Sequence, residues 1–381
     1  MKRLPKALIQ KMENRKEDSA FRQLTVSGNQ TDFASNDYLG FAKSAPIFKE
    51  AHQLLLDNDY ISNGATGSRL LSGNYKLYEE TENDIAVFHQ SEAALVFNSG
   101  YDANVGFFSS VPQKQDIILY DELCHASIRD GIRLSNAKSY KFRHNDYEDI
   151  ERLIARFTTE IGEIYLVTES VFSMDGDTPD IGELAVLSEK HGCCLVVDEA
   201  HALGVFGEKG EGFVQSLQLQ DRVFARIMTF GKGLGCHGAA VLGSVELKEY
   251  LINFARSFIY TTGLPPHSVA TILAAYKELE TADAIRKQLR DNINIFNQQK
   301  QLLGLKPVFV RSKSAIQSAI IPGNAKVRAI ATQLQQEGFD VRPILSPTVP
   351  EGQERLRFCI HSYNSEAEIT QVLQVLAGLI F

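Results

Sequence analysis

No stretch of the chain offers the ~20 consecutive apolar residues needed to cross a bilayer, and none is repetitive or low in complexity. Cysteine is scarce, the five being Cys124, Cys193, Cys194, Cys236 and Cys359. An odd number with no C-x-x-C pair argues against a disulfide framework and against a thiolate zinc centre. Basic residues do not dominate: 39 Lys+Arg against 47 Asp+Glu leave a formal net charge of −8. Nothing in that balance recommends nucleic acid as a partner, so an anionic ligand must be met by a local cluster of donors. Met1-Lys2-Arg3-Leu4-Pro5 leads into a charged stretch without an apolar core, and no secretory leader is expected. These absences lead us to expect a soluble, cytoplasmic protein with no membrane, nucleic-acid or metal partner.

What is present is an ordinary globular mixture: 381 residues, 44% hydrophobic and 23% charged, enough for a sizeable core. Leu4, Leu8, Ile9 and Met12 recur at helical spacing and predict a short amphipathic helix. Short apolar runs then alternate with helix-length segments. The runs are 93–97, 117–120, 163–168, 194–197, 226–230 and 239–242. Continuously apolar strands separated by helices predict an α/β fold with a mostly parallel sheet, sandwiched by helices. After Pro266 the pattern becomes α-β-α-β-α: a long helix from about Ser268 to Leu303, strands near 315–321 and 357–360, and helices near 327–337 and from Ser365. The expected organisation is an N-terminal helix and arm over 1–45, a large domain over 46–266 and a small C-terminal α/β domain over 267–381.

In open α/β sheets ligands collect at the carboxyl ends of the strands. The successive runs end in Asn98-Ser99-Gly100-Tyr101, in Asp121 with His125-Ala126-Ser127 beyond it, in Glu169–Asp177, in Asp198-Glu199-Ala200-His201 and in Thr229-Phe230-Gly231-Lys232-Gly233. Any one of these is ordinary turn or capping chemistry; their coincidence points to an active site. Asp198–His201 resembles a helicase box, but the G-x-x-x-x-G-K-[ST] loop which that reading needs is absent. Gly233-Leu234-Gly235-Cys236-His237-Gly238 fits G-x-G-x-x-G, keeping a nicotinamide or flavin enzyme open, although a strand follows it and no acid stands ~20 residues on. A metal hydrolase on His125, His201 and Asp198 also stays open. A third reading absorbs more residues. A lysine in a glycine-flanked turn is a candidate Schiff-base former. An aspartate on another strand end could hold a pyridine nitrogen protonated, the electron sink that pyridoxal phosphate brings to carbanion chemistry. An exposed lysine and a capping aspartate are the plain alternatives.

Taken together, these residues make the chain resemble a known family over almost its whole length. The matching segments are Ser35–Gly40, Gly67–Gly73, His125-Ala126-Ser127, Phe172–Asp177, Asp198–His201, Thr229–Gly233 and Pro347–Pro350. The set resembles the α-oxoamine synthases, pyridoxal-phosphate-dependent transferases of fold type I that condense an amino acid with an acyl thioester and lose CO2. Thr229–Leu242 and Ile259–Pro266 are most similar to the member that joins L-alanine to a pimeloyl thioester in biotin synthesis. Leu123–Gly131 looks equally like the glycine-using member. A non-catalytic binding protein of the same fold is the alternative from another class. The resemblance implies that Lys232 carries pyridoxal phosphate and moves the α-proton, that Asp198 pairs with the ring nitrogen, that His125 stacks on the ring and that His201 reaches its phenolic oxygen. It places Thr229, Gly100 and Tyr101 along the phosphate with Ser173 nearby, and gives Arg22, Asn36, Thr348 and Arg357 substrate contacts. It further implies L-alanine and an acyl thioester of CoA or a carrier protein as partners, and a homodimer. One position departs: where family members commonly have arginine, before Ser346-Pro347-Thr348, this chain has Leu345. The donor's remote acid group must then be met elsewhere, with Arg22 as the family-matched candidate and Arg342 as a nearby one.

Overall fold

The computed structural model describes residues 4–24, 28–157 and 162–381; Met1–Arg3, read above for a leader, lie outside them. Two compact units emerge, each built from separate pieces of chain. The larger comprises Asn36–Ser173 and Thr178–Gln288, the smaller the residues up to Ser35, Met174–Asp177 and Leu289–Phe381.

The large unit holds a seven-stranded sheet of β1 (Ala93–Phe97), β2 (Ile117–Asp121), β3 (Lys138–Phe142), β4 (Ile164–Glu169), β5 (Cys194–Asp198), β6 (Ala225–Thr229) and β7 (Ala239–Gly243). Their spatial order is β1-β7-β6-β5-β4-β2-β3. The run from β6 to β3 is parallel, and β7 lies antiparallel between β1 and β6. Alternate residues feed opposite faces, as the two-residue period of a strand requires. Val167, Val196 and Ile227 pack under Phe107, Ile128 and Leu251 on one face. Leu166, Leu195 and Val197 pack under Ile154, Leu184 and Val214 on the other. All six apolar runs are strands. The strand that periodicity misses is β3, Lys138-Ser139-Tyr140-Lys141-Phe142, an exposed edge whose lysines blunt it against further pairing.

The small unit carries a three-stranded antiparallel sheet of β8 (Ile316–Ile320), β9 (Arg342–Ile344) and β10 (Arg355–Cys359), ordered β9-β10-β8. Helix Asn324–Gln336 packs on it and on helix Glu366–Ile380, the latter opened by a capping box between Ser365 and Glu368. The compact units divide elsewhere than the boundary near Pro266. The expected long helix is two helices, Pro266–Thr281 and Asp283–Leu302. The first buries Val269, Ile272, Leu273 and Leu279 and packs on large-unit helices Ala45–Asp57 and Lys76–Phe88. Met174–Asp177 belong to the small unit because its groups hold their backbone. Ser318 donates to Met174 O, Ser312 and Ser314 donate to Gly176 O at 2.8 and 2.9 Å, and Arg355 pairs with Asp175. The predicted N-terminal helix forms at Lys6–Glu17 but buries nothing, and Leu4, Leu8 and Met12 stay exposed.

The β6–β7 connection carries Lys232. No helix follows its glycines, so the G-x-G-x-x-G reading has no dinucleotide setting here. The turn is closed by Gly235 N–H donating to Lys232 O and Cys236 N–H donating to Phe230 O, both at 2.9 Å. Gly235 has φ +58°, and a Cβ there would stand 2.1 Å from Ala42 N. Gly235→Ala is expected to cost about 2 kcal/mol or more, conformational strain plus that clash. Gly304→Ala, also at positive φ (+70°) but with nothing nearby, should cost only the strain of about 1 kcal/mol. Denaturant unfolding of the two variants checks the difference, and equal losses would remove the packing argument.

Candidate active site

The carboxyl ends of the strands bring the expected large-unit residues into two hydrogen-bonded groups. The first begins at Lys232. Its Nζ lies 2.9 Å from His201 Nε2, and His201 Nδ1 lies 2.7 Å from the hydroxyl of Tyr38, which donates to Asn36 Oδ1 at 3.2 Å. With an ammonium donating to Nε2, the imidazole is the Nδ1–H tautomer and donates to Tyr38. Lysine, imidazole and phenol thus form a connected path for a proton. His201 and Tyr38 are both buried.

The second group surrounds Asp198, the last residue of β5. Its Oδ2 accepts from Asn104 Nδ2 at 2.8 Å and its Oδ1 from Ala200 N–H at 2.9 Å. Asn104, on helix Gly100–Ser110, also donates to Ser127 Oγ at 3.0 Å, and that hydroxyl lies 2.8 Å from His125 Nδ1. His125 caps helix Ala126–Leu134 through Ser127 N–H. Burial pushes the His125 pKa down and the Lys232 ammonium lowers it further, against the pull of Asp198. Glu169, at the end of β4, accepts the His125 N–H. Burial and then the Asp198 charge push the Glu169 carboxyl up to about 8, although Lys232 opposes them.

Gly100 opens its helix, capped by Ser99 Oγ accepting from Asp102 N–H at 3.1 Å. A Cβ at Gly100 would sit 2.3 Å from Thr229 Oγ1, so glycine is what lets the β6 end meet this helix terminus. Tyr101 stands beside Gly100 but sends its hydroxyl to Asp130 at 2.9 Å, leaving only its backbone N–H for the terminus. Ser173 lies half-buried in the turn after β4, without a hydrogen bond to either group. Arg22, Thr348 and Arg357 belong to the small unit. Arg22 Nη2 donates to Thr348 Oγ1 at 3.0 Å. Arg357 sits half-buried on the middle strand β10, across from Arg342 and Ser318. Arg342 does not supply a free charge beside Leu345. It is ion-paired with Asp340, Nε to Oδ1 at 2.6 Å, and its Nη2 donates to Oδ2 at 3.0 Å. Among the described residues no three His, Cys, Asp or Glu side chains group as metal ligands, so the hydrolase reading has no ligand set. Sequence reasoning missed Asn104 and left Glu169 and Tyr38 without roles. Tyr38 stood within a quoted motif and Glu169 at a strand end, whereas nothing local distinguishes an asparagine one turn into a helix.

The family model of aminotransferases class I and II matches residues 28–376. An 8-amino-7-oxononanoate synthase of Emericella nidulans is 38% identical, over 97% of this chain and 94% of that one. Among solved structures, a serine palmitoyltransferase of S. paucimobilis with bound PLP–myriocin superposes with a TM-score of 0.88 at 27% identity, covering 98% and 96% of the two chains. An 8-amino-7-oxononanoate synthase from Francisella tularensis superposes with a TM-score of 0.76 at 29% identity, covering 92% and 97%.

The Glu169 shift has a consequence for pH. A carboxyl with a folded value of about 8 against an ordinary 4.5 keeps its proton in the native state while the unfolded chain has lost it. Its contribution therefore makes stability fall as pH rises from about 4.5 through 8. Glu169→Gln, which cannot titrate, is expected to flatten that slope. Urea unfolding of the cofactor-free protein at pH 5, 6.5 and 8 checks it, and parallel slopes for both proteins would refute the assignment.

Proposed function

The chain belongs to the class I and II aminotransferase family, in company with 8-amino-7-oxononanoate synthases, and on that premise we propose that it condenses L-alanine with a pimeloyl thioester. The products are 8-amino-7-oxononanoate, CO2 and the free thiol of CoA or a carrier protein, a step of biotin synthesis. The observation that carries the chemistry is Lys232 Nζ at 2.9 Å from a buried imidazole, in a site that also holds the buried, doubly hydrogen-bonded carboxylate of Asp198.

The residues present fit pyridoxal phosphate, the cofactor of this family. Gly100 and Thr229 form a cradle that a Cβ would fill, at a helix N-terminus where free N–H groups favour an anion. The buried Asn104 Oδ1 has no partner among the described residues. When bound, the cofactor supplies a protonated ring that takes up the electron pair left on the amino acid's α-carbon. Thr229, Gly100 and Tyr101 hold its phosphate, with Ser173 beside them. Asp198, fixed by Asn104 and Ala200, keeps the ring nitrogen protonated. His125, held neutral, covers the ring face, and His201 reaches the phenolic oxygen. Lys232 Nζ holds the cofactor and moves the proton at the α-carbon, with His201 and Tyr38 as the groups through which that proton exchanges. Asn36, Arg22, Thr348 and Arg357 contact substrate, Arg357 gripping alanine's carboxylate with its planar fork.

We read the active species as a cytoplasmic homodimer. Five free cysteines fit a reducing compartment, and no described helix is long and apolar enough to cross a membrane. Leu70, Leu71 and Tyr260 are exposed on segments joined by Ser68 Oγ donating to Ile259 O at 2.8 Å, an apolar surface that suits a second copy.

The purified protein is expected to take up pyridoxal phosphate covalently, with visible absorbance, and to form 8-amino-7-oxononanoate from L-alanine and pimeloyl-CoA. Lys232→Ala should abolish both the covalent link and turnover. Offering glycine and serine in parallel, with mass-spectrometric detection, decides the amino acid; product from either in place of alanine would overturn the substrate reading. Arg357→Ala should raise the KM for alanine and lower kcat/KM by about 2–3 kcal/mol. Unchanged alanine kinetics would end the carboxylate role.

A further inference from the structure

A cleft of about 670 Å³ opens in the small unit, walled by the segment around Arg22, by helix Asn324–Gln336 and by the chain from β9 to Thr348. Four guanidinium groups line it; Arg342 is paired with Asp340, which leaves Arg15, Arg22 and Arg328. Each donates only to a neutral acceptor: Arg15 to Ala20 O at 3.5 Å, Arg22 to Thr348 Oγ1 at 3.0 Å and Arg328 to Ser19 O at 2.6 Å. Among the described residues none of the three forms an ion pair with a carboxylate. Arg328 Nε is buried with no acceptor among the described residues. Three like charges sharing a cleft repel one another, and a buried N–H without an acceptor costs stability. An anion entering the cleft would relieve both. The chain carries a net charge of −8, so this cluster is a local exception to its overall sign. Phe21, Ile344 and Leu345 give the same cleft an apolar wall.

Arg22 and Thr348 carry substrate contacts in the function proposed above; we infer that Arg328 is a further donor-binding residue of this cleft, gripping an anionic oxygen group beside Arg22, with Arg15 adding charge and acyl methylenes lying against Phe21, Ile344 and Leu345. The donor's identity as an acyl thioester rests on the function proposed above; the anion site itself rests on the cleft. Arg328 thereby takes over, from a helix, the charge that Leu345 cannot provide. Two anions of the donor share the required chemistry: a carboxylate at the far end of the acyl chain, and a phosphate of the CoA or pantetheine arm.

Kinetics of the pyridoxal-phosphate-loaded enzyme at saturating alanine separate them, using pimeloyl-CoA, heptanoyl-CoA, which lacks the end carboxylate, and S-pimeloyl pantetheine, which lacks phosphate. Arg328→Gln is expected to lower kcat/KM at least 10-fold for donors that carry the gripped anion. Loss with the two pimeloyl donors but not heptanoyl-CoA places the carboxylate there. Loss with the two CoA donors but not the pantetheine places a phosphate. Arg328→Lys, which keeps the charge, should recover part of the loss. A uniform loss across all three donors, or none, overturns the inference. The exposed Arg22→Gln must repeat the donor-selective pattern, which guards against a folding defect at Arg328. If the wild type turns over no donor, the proposed function falls, and calorimetric binding of pimelate and of CoA still judges the cleft. Binding unaltered by Arg328→Gln would then refute it.

Discussion

The hydrogen bond from Asn104 Nδ2 to Asp198 Oδ2, at 2.8 Å, is the contact on which the interior of the large unit depends. A carboxylate almost wholly removed from water is tolerated only where donors replace the water. Here they come from a helix one strand connection away and from the backbone just beyond β5. The same asparagine reaches Ser127, and Ser127 reaches His125. Two helices and the central strand are thereby tied through one amide group. Its position is set by helix Gly100–Ser110, which in turn begins where it does because Gly100 allows Thr229 to approach. Removing any member leaves a buried polar group exposed to nothing, which is costlier than the bond itself.

The two histidines of the site divide their work by surroundings. His201 is flanked by the lysine amine group and a phenol, so both ring nitrogens are engaged and a proton has somewhere to go. His125 is desolvated and faces a cation, conditions that favour an uncharged ring. The small unit follows a different plan. The charged side chains lining its cleft are guanidiniums, which stay ionised at any physiological pH and suit gripping an anion rather than proton transfer.

Much of this was legible in the sequence because a sheet buried on both faces leaves little choice. Its strands must be continuously apolar, and polar residues can collect only where strands stop. That logic located all six apolar strands and set Lys232, Asp198, His125, His201 and Thr229 at or just beyond strand ends, where the structure has them. It failed where its premise failed: β3 is an edge strand with one wet side, so its lysines hid it. Asn104 was invisible for the opposite reason, since a buried asparagine in mid-helix has no periodic signature until its acceptor is known. Arg342 looked available from its neighbours along the chain. Its neutralisation by Asp340 follows from side-chain geometry that spacing does not encode. The division of the chain was hard to read because a helix following a sheet domain can bury its apolar face on either unit. Here Pro266–Thr281 packs on helices at the start of the large unit.

The chain enters and leaves the small unit at Ser35, Met174, Asp177 and Leu289. Neither unit is a continuous stretch of sequence. A genetic exchange with a single crossover would therefore transplant part of one unit together with part of the other. A mismatch at Met174–Asp177 leaves the backbone carbonyls that Ser312, Ser314 and Ser318 use, but takes from Arg355 its carboxylate partner wherever position 175 is not acidic. Exchanging the C-terminal part of the small unit alone would thus separate it from a loop encoded far upstream of it. Diversification of such a protein is expected to proceed by point substitution more readily than by swapping modules.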